Sequence, residues 1–476
     1  MAAPSTPKTG AERLRGFAIL LAIYCAIVYL FPKPASVKPE GWRLFAIFIT
    51  TVVGSIIEPI PGGALVLLAV TLSSVLGGLT LVSALGGYGD PTVWLVMAAF
   101  FISRALINTG LARRIALFFV RLFGKSSLGV SYALCVSDMV LAAIIPSNGA
   151  RSGGVILPIT RSIADLYGSQ PGPTAALLGT FLFTAVSQGI CVSAAMFFTG
   201  QASNALAAKI ATDAGYAITW SSWFVAGLVP GLLSLLVVPW IVMRLSPPQI
   251  RETPAAREFA NDELRKLGPL SGNEKILSCV FVAVCMLWVS SGITKVDVAI
   301  PALFGAVFLI ATGVLSWDDV RGEKAAWDIF IWYGGLVRLG KALNDTGVTN
   351  EFATWVAGVF SGTNWVTMFA FALLIYFYAH YAFASITAHI LAMYPAFLAV
   401  LAAKGAPLGL VAFAFACFTN LAAGLTHYGT TPSPMFYAHG YVPMATWWRV
   451  GLIVSVVNIT IWSTAGFAWW KFVGFW

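Results

Sequence analysis

Charged residues are scarce in this sequence: Asp, Glu, Lys and Arg together make up only 10% of the 476 residues, whereas 59% are hydrophobic. Soluble domains carry about 25% charged residues. A chain so poor in charge cannot cover its apolar surface with polar groups in water, whereas a lipid bilayer accepts that surface. The composition therefore excludes a soluble protein and predicts a membrane protein, which the recurring long apolar stretches described below make an all-α polytopic one.

Residue patterns for catalysis and metal binding are also missing. The chain has four histidines and six cysteines, and the cysteines lie within apolar stretches without metal or disulfide spacing. Neither Gly-x-Ser-x-Gly nor His-Glu-x-x-His occurs. The formal charge of +9 comes from basic residues that lie mainly in short loops, as is typical of cytoplasmic loops. We therefore expect no enzyme activity, no cofactor or metal and no nucleic-acid partner, with the lipid bilayer as the surroundings.

Apolar stretches long enough to enter a bilayer recur along the chain. They begin near residues 16, 41, 61, 91, 128, 174, 219, 276, 297, 328, 352, 366, 407 and 450. Residues 1–15 are polar and basic, and no cleavage site follows the first span, which predicts a cytoplasmic N-terminus in a bacterial inner (plasma) membrane. The most polar segment, 244–275, is interpreted as a cytoplasmic linker between two halves, 16–243 and 276–476.

The two halves resemble each other. Four short matches occur in the same order at an offset of 237–239 residues: Trp94 with Trp332, 104–110 with 341–347, 147–151 with 385–389, and 196–198 with 435–437. Such agreement indicates an internal duplication. Duplicated halves, often inverted in the membrane, are a common way to build a transport site that opens alternately to each side.

Each half contains a polar motif inside an apolar stretch. The motifs are Ser147-Asn148-Gly149 and Ser385-Ile386-Thr387. Irregular backbone at membrane depth needs protein or water to satisfy it, so we expect two re-entrant hairpins, at about 128–163 and 365–403, with the motifs at their tips.

A second interruption follows each hairpin, and its Gly and Pro content suggests a broken helix. The donors at these interruptions and at the tips are neutral, and helix N-termini favour anions. Asp138 would lie about 13 Å from Ser147 along a straight helix, so we expect no carboxylate at the tip. The alternative is that these small polar residues only hold helices together. The expected anion-binding set consists of the two motifs with Thr430, Thr431 and Pro432, supported by Ser187, Gly189 and Thr426.

Arg151 and His389 each follow the tip serine by four residues, one helical turn further on. Cationic side chains within a membrane are rare and commonly functional, so this matched pair is predicted to compensate the charge of a dianion. Two alternatives stay open: Arg151 extends to the membrane interface, and His389 is a buried structural histidine.

At these residues the chain resembles the divalent anion:sodium symporter family of dicarboxylate carriers, whose hallmark is a Ser-Asn-Thr motif at each of two hairpin tips. The resemblance covers essentially the whole chain, including the late 429–432 motif. It implies about eleven transmembrane helices plus two hairpins in inverted repeats, a scaffold and a transport domain that moves as an elevator, and a homodimer.

The motifs depart from the sodium-coupled pattern, because Gly149 and Ile386 stand where that pattern has Thr and Asn. An isoleucine side chain offers no oxygen to a cation. Arg151 and His389 are similar to the branch of citrate–succinate, tartrate–succinate and 2-oxoglutarate–malate exchangers. We therefore expect exchange of di- or tricarboxylates without sodium. The alternatives are a sodium-coupled dicarboxylate symporter and, more remotely, an intramembrane hydrolase with Ser385 and His389 as a dyad.

Overall fold

The computed structural model describes residues 9–348, 351, 362 and 364–476, and all regular elements in this part of the chain are helices. The helices up to the linker are α1 Gly10–Cys25, α2 Pro39–Ile57, α3 Gly62–Val75, α4 Leu81–Leu85, α5 Pro91–Asn108, α6 Leu111–Phe123, α7 Ser127–Ala142, α8 Asn148–Arg151, α9 Leu157–Leu166, α10 Gly179–Met196, α11 Ala202–Asp213 and α12 Trp220–Leu245. Residues 26–30 continue α1, and residues 152–156 join α8 to α9, both as π-helical turns.

The remaining described helices come after α12 along the chain. They are α13 Pro254–Leu267, α14 Gly272–Thr294, α15 Ala299–Ala311, α16 Trp317–Gly322, α17 Lys324–Asp345, α18 Trp365–Ala379, α19 Ile386–Ala403, α20 Leu408–Ala422, α21 Pro432–Ala438, α22 Met444–Ile461 and α23 Phe467–Phe472. The expected span near residue 352 and the first eight residues of the expected cytoplasmic N-terminus lie outside the described residues.

Ten helical segments of the described chain are long and apolar enough to cross a membrane, and three shorter apolar helices accompany them. The ten include both arms of the second predicted hairpin, Trp365–Ala382 and Ile386–Ala403. Two of the ten, Gly179–Met196 and Leu408–Leu425, are almost wholly buried inside the protein. The predicted class, an all-α polytopic membrane protein, is confirmed.

Both predicted hairpins are formed by helices that return on themselves. The first consists of α7, a turn at 143–147 and the continuous helix 148–166. The second consists of α18 with its last turn His380–Ala382, a short connection and α19. Each polar motif lies where the returning helix begins, close to the boundaries that the sequence predicts.

Three of the four sequence matches fall on equivalent local structure. Both α5 and α17 end at a threonine followed by a glycine with positive φ, Gly110 at 79° and Gly347 at 82°, where glycine avoids a steric clash. Trp94 and Trp332 lie inside these same two helices. Ser147 and Ser385 are both N-caps of the returning hairpin helices. The fourth match pairs residues at different structural positions, because Met196 is the last residue of α10 whereas Met435 lies within α21.

A buried helix is interrupted in each half. In the first half, α10 stops at Met196 and α11 begins at Ala202. In the second half, α20 runs on through a 3₁₀ turn to Leu425, and α21 begins at Pro432. We call residues 197–201 the first break and residues 426–431 the second break.

The polar segment 244–275 is more ordered than a simple linker. It contains α13, which packs on α6. Arg114 donates to the Glu274 carboxylate at 2.7 Å and to the Gly268 carbonyl at 2.8 Å, and Arg113 pairs with Glu263. Polar residues here form a helix docked by ion pairs, because the amphipathic pattern of α13 gives it one face that can bury Ala256 and Ala260.

Candidate functional site

The two predicted tips begin helices in the same way. The Ser147 hydroxyl accepts a hydrogen bond from the Ala150 amide at 3.1 Å, and the Ser385 hydroxyl accepts one from Ala388 at 3.4 Å. A serine at the N-cap satisfies one of the free amides of the first turn. The remaining free amides leave partial positive charge at each tip, which suits an anion.

The first hairpin tip contacts the second break. The Asn148 side-chain amide donates to the Thr430 hydroxyl at 2.8 Å. Gly149 lies so close to Thr431 that a Cβ atom there would be 2.8 Å from the Thr431 methyl group. Glycine at this position therefore allows the tip to approach the break, and Pro432 then starts α21.

The second hairpin tip contacts the start of α11, directly after the first break. The hydroxyls of Thr387 and Ser203 lie 2.5 Å apart. Ile386, between Ser385 and Thr387, is buried. The first tip thus meets the second break, and the second tip meets the helix that follows the first break, so residues far apart in the sequence form one arrangement.

The two broken helices are also joined directly. The Asn420 amide donates to the Asn204 side-chain oxygen at 2.9 Å, and the Gln188 amide donates to the Gly424 carbonyl at 2.8 Å. None of these side chains was predicted as a site residue. Asn204 and Gln188 are polar residues in apolar stretches, and that signal could have identified them.

The Arg151 side chain forms an ion pair and hydrogen bonds inside the protein. Its Nε lies 2.9 Å from Asp138 Oδ1, and its Nη1 donates to the carbonyls of Ile145 and Gly200 at 2.7 Å each. Both charged side chains are fully buried, and Ser193 also donates to Asp138.

This geometry corrects the prediction for Arg151, because its charge is balanced by Asp138 instead of being free for a substrate. It also excludes the alternative that Arg151 extends to an interface. The distance of about 13 Å expected between Asp138 and Ser147 assumes a straight helix. The chain instead turns back after α7, and this turn brings Arg151 next to Asp138.

His389 has a different environment at the matching position. Its ring lies 4.3 Å from the Tyr376 ring, and its Nδ1 lies 3.0 Å from Nδ1 of His380. His380 Nε2 in turn lies 2.8 Å from the Gly429 carbonyl of the second break. His380 is not among the site residues that the sequence predicts.

The offset of 238 residues between the two tip serines also relates the neighbours of Arg151 to those of His389. Asp138 lies 13 residues before Arg151, as Tyr376 does before His389. Asp138 accepts from Ser193 of α10, and the Tyr376 hydroxyl bonds to Thr419 of α20. The acid of the first half is therefore replaced by a phenol in the second.

The predicted supporting residues shape the helices next to the site. Ser187 is hydrogen-bonded to the Thr184 carbonyl within α10. Gly189 allows α10 to pack on α7, because a Cβ atom there would be 2.3 Å from the Cys135 sulfur. Thr426 begins the second break, and its buried hydroxyl has no hydrogen-bond partner among the described residues.

Four contacts thus close a ring around the site. Arg151 binds the first break and Asn148 the second break, whereas His380 binds the second break and Thr387 the start of α11 after the first. The polar groups of the ring are hydroxyls, amides, main-chain carbonyls, the His380 imidazole and the Arg151 guanidinium, whose charge Asp138 balances, with a helix N-terminus at each tip. The described residues contain no group of three or more His, Cys, Asp or Glu side chains placed to hold a metal. Such an arrangement is suited to bind a small anion.

Comparisons with known proteins agree with this architecture. Residues 11–476 match the family described as the sodium:sulfate symporter transmembrane region. The putative malate transporter YflS of Bacillus subtilis is 42% identical, covering 98% of each chain. Chloroplastic dicarboxylate transporter 1 of Arabidopsis thaliana is 41% identical over 94% of this chain and 82% of its own. The L-tartrate/succinate antiporter of Shigella sonnei is 33% identical over 97% and 99%.

Two solved structures share the fold at low sequence identity. The YdaH transporter of Alcanivorax borkumensis superposes with a TM-score of 0.52 at 13% identity, covering 97% of this chain and 98% of that one. MtrF of Neisseria gonorrhoeae gives a TM-score of 0.54 at 13% identity, with coverages of 93% and 96%.

Proposed function

This chain belongs to the sodium:sulfate symporter family, and we propose that it exchanges di- or tricarboxylate anions across a membrane. The relatives named above are transporters of malate, of dicarboxylates and of tartrate and succinate. Because family and relatives are transporters, the chain is a membrane transporter and not an enzyme, and the hydrolase alternative is excluded.

The observation that carries the proposal is the duplication of the anion-binding element. Two serine-capped helix N-termini, at Ser147 and Ser385, belong to one hydrogen-bonded ring. A substrate with a carboxylate at each end has two equivalent negative groups. Two equivalent electropositive helix ends match such a substrate, and neutral hydroxyls and amides orient it without a fixed countercharge.

Exchange without sodium is favoured by two features. Arg151 already places a guanidinium on main-chain carbonyls beside the first tip, and the Ile386 side chain offers no oxygen at the second. Because Asp138 balances the charge of Arg151, this side chain is not itself the charge that compensates a dianion. One relative is itself an antiporter.

Several further properties belong to the same proposal. Movement of the hairpins and broken helices as one body, an elevator, agrees with the ring of contacts that joins them. A homodimer and a bacterial inner membrane with the N-terminus in the cytoplasm are proposed from the family resemblance and from the basic residues near the first span.

The second candidate is a sodium-coupled dicarboxylate symporter, which the description of the matching family favours. The two functions differ in what drives net uptake: a symporter needs a sodium gradient, whereas an exchanger needs substrate on the other side.

Proteoliposomes that contain the purified protein separate these candidates. We expect uptake of labelled succinate only when the vesicles contain an unlabelled dicarboxylate, with the same rate in sodium and in potassium buffer. Malate, 2-oxoglutarate, citrate and tartrate inside the vesicles then identify the exchanged partner. Uptake into empty vesicles that requires a sodium gradient would contradict exchange and support symport. Absence of transport for every carboxylate would contradict the substrate class.

A further inference from the structure

Two fully buried histidines form a hydrogen-bonded chain between the second hairpin and the second break. His380 Nε2 is 2.8 Å from the Gly429 carbonyl oxygen, and the Nδ1 atoms of His380 and His389 are 3.0 Å apart. A carbonyl oxygen only accepts hydrogen bonds, so Nε2 of His380 carries a hydrogen.

That requirement assigns the other hydrogens of the pair. A neutral imidazole carries one N–H, so Nδ1 of His380 is an acceptor and Nδ1 of His389 is its donor. Nε2 of His389 is then unprotonated. It is buried and has no hydrogen-bond partner among the described residues. The neutral pair therefore has two hydrogens on four nitrogens and one unused basic nitrogen.

We propose that Nε2 of His389 takes up one proton when a dicarboxylate binds, so that His380 and His389 form a proton site coupled to the substrate. This proposal rests on the proposed function, because the bound anion supplies the negative potential. The proton comes from water and adds to the free lone pair, and the charge of the pair changes from 0 to +1. The proton returns to water when the anion leaves.

The groups around the pair explain why the proton needs the anion. The titratable group that faces His389 is the Tyr376 phenol of α18, whose main-chain carbonyl also lies against the ring. Tyr394 of α19 lies near that phenol and near Cys417 of α20. Apart from the two imidazoles themselves, the described residues place no carboxylate or basic side chain against the pair. A buried charge without a partner is unfavourable, so the pair is neutral in the empty site.

The first half shows the contrast. Arg151 is permanently charged, and Asp138 lies beside it at 2.9 Å. In the second half the position of that acid is Tyr376, so a cation at His389 has no anionic partner among the described residues. An anion held at the Ser385 helix end and at the break that contains Gly429, Thr430 and Thr431 would supply the missing charge through a medium of low dielectric constant.

Binding of proton and anion is then reciprocal. If the anion favours the proton, the proton favours the anion by the same factor. Affinity for a fully ionised dicarboxylate should therefore rise as pH falls, by up to about tenfold per pH unit where one proton is taken up. Each exchanged anion is therefore moved together with one proton. This proton, held on the histidine pair, reduces the net charge of the occupied site while it moves.

Isothermal titration of the purified full-length protein with succinate tests this. The titration is run at about pH 7, where the carboxylates are ionised, in two buffers of different ionisation enthalpy. The difference in heat counts the protons taken up. We expect about one proton per succinate for the wild type, about none for His389→Gln and His380→Gln, and about one for the matched control His439→Gln, which lies outside the pair at the end of α21.

The outcomes separate this proposal from the proposed function. Succinate binding by the wild type with no proton uptake contradicts the histidine site alone. Uptake of one proton that persists in both pair variants contradicts it as well. If the variants do not fold, the wild-type proton count and the pH dependence of its Kd still decide. No binding and no exchange of any carboxylate at any pH would instead overturn the proposed function.

Discussion

At the scale of single residues, Asp138 and Arg151 form an ion pair that is completely shielded from water. Arg151 uses its remaining donors on the carbonyls of Ile145 and Gly200. A buried pair of this kind contributes little net stability over an apolar pair, but removal of one partner leaves an uncompensated charge. Its position between the first tip and the first break means that it determines how the two meet.

Asp138→Asn should reduce the free energy of unfolding by about 3–5 kcal/mol, because it leaves the Arg151 guanidinium buried without a countercharge. Arg151→Met should have a comparable effect through Asp138. The double variant should lose less than the sum of the two single losses. Denaturant titration in detergent micelles measures all three. A loss below about 1 kcal/mol for Asp138→Asn would show that water or another group compensates Arg151.

The chemistry of His389 differs from that of Arg151 at the matched position because the neighbouring residues differ. His389 follows the tip serine as Arg151 does, but the neighbouring α18 offers Tyr376 and His380 instead of an acid. The charge in the first half is therefore fixed, whereas the charge in the second half depends on protonation. The duplicated halves give the site one constant and one variable cationic position.

At the scale of elements, the first hairpin tip packs against the second break and the second tip packs against α11, directly after the first break. At Gly149 the backbone of the first tip lies so close to Thr431 that an added Cβ atom would be 2.8 Å from its methyl group. In the proposed function, the substrate binds at the tip, between these same elements. The separation of the tip from the break is therefore expected to control transport more than stability.

Gly149→Ala should lower the rate of dicarboxylate exchange about tenfold while the protein still folds, because the new methyl group pushes the tip away from the exposed Thr431 side chain. Thr431→Ser removes the methyl group that clashes, so the double variant should recover exchange. Rates in proteoliposomes measure the effect.

Gly154→Ala is the matched control for this experiment. A Cβ atom at Gly154 would make only an ordinary contact, 3.7 Å from an Ile107 methyl group, so exchange should stay at the wild-type rate. Equal losses in both variants would indicate that alanine disturbs the helix 148–166 in general and not the contact with Thr431.

At the scale of the whole molecule, the two halves are interlocked at the site and joined again by the polar segment between them. Contacts from α13 to α6 hold that segment in place. Arg114 makes two hydrogen bonds to the Glu274 carboxylate, at 2.7 and 3.2 Å, and is mostly buried. Arg113, its neighbour, pairs with Glu263 while its own side chain is 52% exposed.

Arg114→Lys should speed hydrogen exchange of the amides in α13, because an ammonium group cannot reproduce the two parallel hydrogen bonds to Glu274. Arg113→Lys is the matched control and should change exchange little, since exposed pairs contribute about 0.2–1 kcal/mol. Hydrogen–deuterium exchange with mass spectrometry reads residues 254–267 in both variants. If the amides of α13 stayed as protected as in the wild type in both variants, apolar contacts alone would dock α13 on α6.

The sequence by itself determined the class of the protein, the two hairpins and most of the correspondence between the halves. These features are local or periodic. Long apolar stretches need a bilayer, a serine before a new helix acts as its cap, and a Thr-Gly pair ends α5 and α17 alike.

Tertiary structure alone decided which residues meet. Asp138 reaches Arg151 because the chain reverses between them, His380 reaches Gly429 across 49 residues, and each tip contacts the half to which it does not belong. No spacing in the sequence records such contacts, since their geometry depends on how packed helices cross. For that reason the sequence predicted two cationic positions, whereas the structure distinguishes a charge that is already balanced from one that a proton can create.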